Sequence, residues 1–332
     1  MKSNEMELRT PVTPVPSKGL ILHDGGIMMF GSCFSDNIGS RLRNAMFNVD
    51  INPFGTTFNP ASINQSIDRI LNKTLTTDAE LFEQNGVWNS FYYHSAFSSS
   101  DKENAKAEMN NRVEQAFDNL QGAKTLIFTL GTASIYVHKE LNLIVNNCHK
   151  YPASHFSRIR MSADEVAEQF CNNISRILKL NESIKIIFTV SPIRHIADGI
   201  AENNLNKSIL RVAIDKIIER YPKTCSYFPA YEIMMDDLRD YRFYAADMVH
   251  ISDVAIDYIW EIFQQSYFTQ SVIDIANKCT KISKRFTHRP MSNNQDVIAK
   301  FREDTTLVIT NLINEYPYLD KINNISYYEL SN

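Results

Sequence analysis

Two short groups of residues in this chain could do chemistry together. One is Gly31-Ser32-Cys33-Phe34-Ser35, and the other is Asp247-Met248-Val249-His250. Ser32 and Cys33 are both nucleophile types. A cysteine needs the less activation, because a few per cent of a free thiol is thiolate at neutral pH. An aspartate three residues before a histidine can fix the tautomer of the imidazole and support the imidazolium that forms when it takes a proton. Nucleophile, base and orienting carboxylate are the parts that acyl transfer needs. Each half also has a plain reading: a half-buried cysteine in an ordinary strand-to-helix turn, and a turn aspartate ahead of a helix.

The surrounding pattern says what must position them. Residues 27–30 form an apolar run that suits a strand covered on both faces. Gly31 permits a sharp turn, and Ser32, Ser35 and Asp36 can each cap a helix running through Ile38, Leu42 and Met46. A helix N-terminus behind the nucleophile favours a thiolate, so a lowered Cys33 pKa is expected. Residues 52–60 carry two prolines, a glycine and two asparagines and read as a structured loop before a helix over 61–71. Residues 87–94 are aromatic and polar by turns, as a short strand or a pocket wall. A polar helix covers 101–120. Residues 124–130 are a buried strand ending at Gly131, and 135–137 with 141–145 make a hairpin that delivers Asn147, Cys148, His149 and Lys150.

A capping box at Ser162 and Glu165 opens a helix to about residue 180. The strand over 184–190 ends in Ser191-Pro192-Ile193-Arg194-His195. A helix through Leu210, Ile214 and Ile218, a short strand over 225–228 and a helix over 253–268 follow. This alternation predicts an α/β fold with a doubly wound, mostly parallel sheet. Ligands bind such sheets at the carboxyl ends of the strands, where the polar and glycine-bearing motifs fall. Three parts are expected: an extended, proline-bearing lead-in over 1–20, one α/β domain over 21–268, and a helical C-terminal appendage over 269–332.

The chain has 332 residues with a net charge of -4, which argues against nucleic acid as a partner because phosphate binding needs a basic surface. Five widely spaced cysteines, with no CxxC pair, fit a reducing compartment, and a cytoplasmic location is expected. Neither a leader nor a membrane-inserting segment is read in the sequence. No G-x-G-x-x-G or phosphate loop follows the first strand, which disfavours a nucleotide, and Cys148 with His149 is too small a group for a metal site. No cofactor is expected. A small-molecule or carbohydrate acyl substrate is, and nothing in the sequence fixes an oligomeric state.

Gly31-Ser32-Cys33-Phe34-Ser35 resembles the signature of the GSCFA domain family. Further blocks look like the family's too: residues 52–55, 130–133, 147–150, 189–195, 227–244 and 247–250. The similarity spans roughly residues 20–265. The family is itself similar to the SGNH/GDSL hydrolases, doubly wound esterases and acyltransferases. The resemblance implies a sheet in flavodoxin-like order and a hydrolase or acyltransferase acting on an ester or thioester. Cys33 falls at the nucleophile position, with Ser32 where the relatives carry aspartate; the choice between them stays open. Gly55 matches the glycine whose N–H helps bind the oxyanion. Gly131 opens the third block, whose oxyanion-binding asparagine is replaced by Ala133. The last block is intact as Asp247 and His250. The alternative is a scaffold of this kind that has lost turnover and holds a ligand.

Three more residues are candidates for the substrate. Asn147 could replace the missing amide or simply shape a turn. His149, beside Lys150, could meet an anionic group or be solvated. Arg194 suits an anionic ligand at a strand end or a structural ion pair with Asp198 or Glu202. The alternating charges from Asp236 to Arg242 read as a salt-linked surface.

Overall fold

In a computed structural model of the protein, residues 10–287 and 295–321 are described. The central sheet holds five strands in the order β2-β1-β5-β9-β10: Val49–Ile51, Gly26–Gly31, Ala123–Leu130, Lys185–Val190 and Cys225–Tyr227. Every neighbouring pair is parallel. Numbered by their order along the chain, the five run 2-1-3-4-5, the flavodoxin-like order that the resemblance to the SGNH/GDSL hydrolases implies.

Both faces of the sheet are buried because successive strand residues point to opposite sides. Met28 and Phe30 of β1 join one core with helices α2 (Pro60–Leu71), α3 (Lys102–Gly122), α4 (Ala163–Leu180) and α5 (Ile200–Arg220). Ile27 and Met29 join the other, with α1 (Cys33–Asn44) and α7 (Asp253–Tyr267). Between α5 and α7 the chain makes one helical turn, α6 (Ala230–Glu232), and a π-helical stretch over Ile233–Asp237. The capping box opens α4 as read, Ser162 and Glu165 each taking the other's backbone N–H.

Three strands escape the sequence pattern. β2 is only three residues long and has Asp50 at its centre, held by Arg112 and by Asn119 at 2.8 Å, so no apolar run marks it. β3 (Phe82–Gln84) pairs antiparallel with β4 (Val87–Asn89). β8 (Phe156–Arg160) adds a third strand to the hairpin of β6 (Ser134–His138) and β7 (Leu143–Val145). At the C-terminus, α8 (Gln270–Thr287) and α9 (Gln295–Glu315) share an apolar cluster with Met46, just past α1. The lead-in read over 1–20 and the appendage read over 269–332 fall partly outside the described residues. Among the described residues no helix is long and apolar enough to cross a membrane, and no group of three or more His, Cys, Asp or Glu could hold a metal ion.

Strand register fixes the rim of the sheet. Gly31, Thr129 and Thr189 stand side by side on β1, β5 and β9. The residues just past them, Ser32, Gly131 and Ser191, therefore meet at one edge.

Candidate active site

The first strand turns into α1 at Gly31, whose φ is +150°. A Cβ there would lie 2.4 Å from the Thr129 carbonyl oxygen and 2.6 Å from the Thr129 Cβ, so β5 leaves room only for glycine. The turn is fastened from the second loop. Gly31 N–H donates to Asn52 Oδ1 at 2.8 Å, Asn52 Nδ2 donates to Asp36 Oδ1 at 2.7 Å, and Thr56 Oγ1 donates to Asp36 Oδ2 at 3.0 Å.

The turn gives its two nucleophile candidates different jobs. Ser32 is the N-cap of α1: its Oγ accepts from Phe34 N–H at 3.3 Å and donates to Ser191 Oγ at 2.9 Å, and the residue is only 4% exposed. Cys33 is the first helical residue and is exposed. Its thiol pKa is nevertheless raised, first by desolvation of the sulfur against the protein and then by the Asp36 carboxylate; only its own backbone N–H opposes this. The lowering expected from a helix N-terminus is not found. Asp36 sits in the first turn of the same helix and places a negative charge where the helix dipole would favour the thiolate.

Asp247 and His250 are joined within one loop. Asp247 Oδ1 accepts the backbone N–H groups of Val249 and His250, both at 2.9 Å, and Oδ2 lies 2.5 Å from His250 Nδ1. The histidine side chain and these amides hold the Asp247 carboxyl at about 2. A carboxylate on Nδ1 places the ring proton there and leaves Nε2 as the basic nitrogen. The loop is closed by Ala245 N–H donating to the His250 carbonyl at 2.8 Å. Arg194 clamps it: Nη2 donates to the Met248 carbonyl at 2.6 Å, and the guanidinium lies 4.5 Å from the Tyr244 ring centroid. Arg194 thus reaches from the end of β9 to the histidine loop, whereas Glu202 pairs with Arg160. Among the described residues no hydrogen bond joins the His250 ring to Ser32 or Cys33.

The remaining candidates divide. Gly131 stands at the rim, but its N–H donates to the Phe58 carbonyl at 2.7 Å. Gly55 N–H closes a turn on the Asn52 carbonyl at 2.7 Å, and its missing side chain admits His94, whose Cβ would be 2.1 Å from a Cβ at 55. Asn147 Oδ1 accepts His149 N–H at 2.8 Å, a turn contact. The His149 Nε2 lies 2.9 Å from the Ser90 carbonyl, the ring packs against Phe82 and Phe91, and burial lowers its pKa. Asn147 and His149 therefore belong to the wall formed with residues 90–94. Of the charges from Asp236 to Arg242, Arg239 pairs with Asp236 at 3.3 Å and Arg242 with Asp240 at 3.7 Å on the surface, whereas Asp237 is buried and accepts from the Tyr258 hydroxyl.

Three groups at the rim are not among the candidate site residues read from the sequence, although His195 falls at a strand end beside Arg194. Ser191 receives the Ser32 hydroxyl. Lys207, 2% exposed, donates through Nζ to the carbonyls of Ser191 at 2.7 Å and Ile193 at 2.9 Å, and burial draws its pKa down to about 7. His195 lies with its ring centroid 5.3 Å from that of Phe58, and its Nε2 would be 2.9 Å from a Cβ at Gly131. Burial first, then Lys207, Arg158 and His250, draw the His195 pKa down to about 4. The strand-end stretch 191–195 could have flagged Ser191 and His195. A lysine in mid-helix gives no such signal, since most are solvated.

A doubly wound α/β domain with an exposed cysteine at its first strand-to-helix turn, and an Asp-x-x-His loop fastened to the end of β9, is the class that this fold and rim define. The model of the GSCFA family matches residues 26–263, and the chain belongs to that family. No curated protein matches it. Among solved structures, one similar chain is a carbohydrate esterase family 2 enzyme with a carbohydrate binding domain from Corynascus thermopiles (Myceliophthora fergusii). It is 11% identical, with 81% of this chain and 69% of that chain covered and a TM-score of 0.38.

Proposed function

We propose that this protein transfers an acyl group from an ester or thioester, to water or to another acceptor, with Cys33 as nucleophile, His250 as base and Asp247 as its orienting carboxylate. In the first step the Sγ proton passes to His250 Nε2, the Sγ–C bond forms, and the carbonyl electron pair moves onto oxygen. The oxyanion collapses, the bond to the leaving group breaks, and the leaving group takes the proton from His250. Water or the acceptor then attacks the thioester on Cys33 as His250 accepts its proton, the second oxyanion collapses, the Sγ–C bond breaks, and His250 returns the proton to the Cys33 sulfur. Residues 21–268 are the unit that carries this chemistry, with 269–332 an appendage to it. Five free cysteines fit a reducing compartment such as the cytoplasm.

One observation carries the reading: an exposed cysteine opens α1, while an Asp–His pair already at 2.5 Å is tied by Arg194 to the end of β9, whose Ser191 bonds Ser32 beside that cysteine. It favours Cys33 over Ser32, because the serine hydroxyl is buried and engaged as a cap. A second reading, a ligand-holding scaffold, draws on the Gly55 and Gly131 amides, both engaged elsewhere.

The test uses p-nitrophenyl esters and an aryl thioester with intact-mass detection. The acyl-enzyme reading expects a mass adduct on Cys33 that Cys33→Ala abolishes and Ser32→Ala leaves. If neither residue is acylated and neither change alters turnover, the scaffold reading replaces it.

A further inference from the structure

If an acyl group is attacked at Cys33, its oxygen becomes an oxyanion that needs hydrogen-bond donors. The rim is short of them. Gly55 N–H and Gly131 N–H already donate to the carbonyls of Asn52 and Phe58. Ala133, where the related blocks carry an asparagine, is fully buried and has no donor to offer. The Asn52 amide is engaged between Gly31 and Asp36. What remains at the nucleophile is the Cys33 backbone N–H, which lies within reach of its own sulfur.

One uncommitted side chain stands at the same rim. His195 follows β9, and its Nε2 projects over Gly131, the residue just past the end of β5. Gly131 has to be glycine for that approach, since a Cβ would meet both the Phe58 Cβ at 2.8 Å and the His195 Nε2 at 2.9 Å. The backbone of His195 is fixed by its N–H donating to Asn203 Oδ1 at 2.9 Å, and Asn203 is itself 2% exposed. Phe58 flanks the ring. Among the described residues neither ring nitrogen has a hydrogen-bond partner, and neither is sealed from solvent. His250 is close enough for its charge to act on the ring, so this histidine and the proposed base share one space.

We infer that His195 is an oxyanion-hole donor for the reaction at Cys33, its imidazole N–H taking over the work of the asparagine that this chain replaces with Ala133. The inference rests on the acyl-transfer reading above. His195 suits donation better than base catalysis. Burial and the positive charges of Lys207 and Arg158 keep it from holding a proton at neutral pH, and a neutral imidazole still carries one N–H. The donor is therefore unchanged through neutral pH. In the reacting step the carbonyl electron pair moves onto oxygen as Sγ–C forms. The new negative charge then accepts from the Cys33 N–H and from the His195 N–H, with no proton transferred to either.

The test compares His195→Ala, His195→Phe and His195→Gln in the full chain. Hydrolysis of p-nitrophenyl acetate and binding of a trifluoromethyl ketone are measured, the latter adding the Cys33 sulfur to give a tetrahedral oxyanion. Loss of one such donor is expected to lower kcat by about 10²–10³-fold in the Ala and Phe variants, with KM little changed. Gln, which keeps an N–H, recovers part of the loss. The pH dependence keeps its midpoint, because the base is elsewhere, and ketone affinity falls in parallel with kcat. In ¹⁵N-histidine-labelled protein the His195 N–H proton moves downfield on ketone binding, a readout that survives if a variant folds poorly. Normal turnover and ketone affinity in the Phe variant overturn the inference and leave the acyl-transfer reading standing. A shifted pH midpoint overturns it in favour of a second base. Absence of both turnover and ketone adduct in the unaltered protein refutes acyl transfer at Cys33, and the His195 role with it.

Discussion

Lys207→Met should change how stability depends on pH. The ammonium of Lys207 is fully buried, with two backbone carbonyls and the Tyr231 ring around it, and burial lowers its pKa from 10.5 to about 7. Between those values the unfolded chain holds a proton on Lys207 that the folded chain has released. The unfolded state then binds more protons, so stability rises with pH through this window and is flat below it. At about 1.36 kcal/mol per pH unit the full interval corresponds to about 5 kcal/mol, of which about 2 kcal/mol falls between pH 7 and 9. A comparison at one pH decides nothing: removing the lysine relieves that penalty but strips donors from the Ser191 and Ile193 carbonyls, at about 1–3 kcal/mol each. The slope decides. Urea unfolding followed by tryptophan fluorescence at pH 7, 8 and 9 should show the unaltered protein gaining about 2 kcal/mol on the variant. Neighbouring groups do not mimic this, since His195 is already neutral and Tyr231 is pushed up and stays protonated. Parallel pH profiles for the two proteins would refute a buried, proton-releasing lysine.

Iodoacetamide should label Cys33 ahead of the buried Cys171, Cys225 and Cys279, the last two drawn up to about 12. Its rate should rise with a midpoint above the ~8.5 of a free thiol, and peptide mapping across pH checks both points. Arg194→Ala should lower kcat by up to about 10²-fold by freeing the Met248 carbonyl and misplacing His250, with the thiol still alkylated at the normal rate; steady-state kinetics beside alkylation separates the two. Asp247→Asn should lower kcat by about 10²-fold or more, because the amide no longer holds the ring proton on Nδ1, and a thermal midpoint near that of the unaltered protein is the control. Gly31→Ala should destabilise the fold by about 3 kcal/mol, since the new methyl meets the Thr129 backbone, and chemical unfolding measures it.

The parts of this site that the sequence makes legible are those set by neighbours in the chain. An apolar run, a glycine and three capping side chains define the β1–α1 turn, and the Asp247 hydrogen bonds span two or three residues. The parallel sheet is legible for a similar reason, because β1, β5 and β9 are each long apolar runs. What the sequence hides is set by distant partners. The sign of the Cys33 shift depends first on how far the fold desolvates the sulfur and then on the Asp36 carboxylate that the second loop holds beside it. The glycine amides look free until the Asn52 and Phe58 carbonyls are in place. Lys207 shares a buried face of α5 with Asn203 and Asn206, so that helix carries polar residues inward and its pattern misleads.

The raised thiol and, among the described residues, the lack of a hydrogen bond between it and the His250 ring point to the same kind of chemistry. A cysteine that rests as a thiolate beside an imidazolium needs its charge stabilised before substrate arrives, by a dipole, a cation or a direct hydrogen bond. Here Asp36 offsets the dipole, and the cations at the rim act on other groups: Arg194 is committed to the Met248 carbonyl, and Lys207 to the carbonyls of Ser191 and Ile193. A nucleophile in that setting keeps its proton until attack, so His250 would act as a general base during the step rather than before it. The negative charge then appears only when the carbonyl oxygen is already in reach of its donors. On the proposed reading, the burden of catalysis would fall on the oxyanion side of the rim, where Phe58, Gly131 and His195 close together.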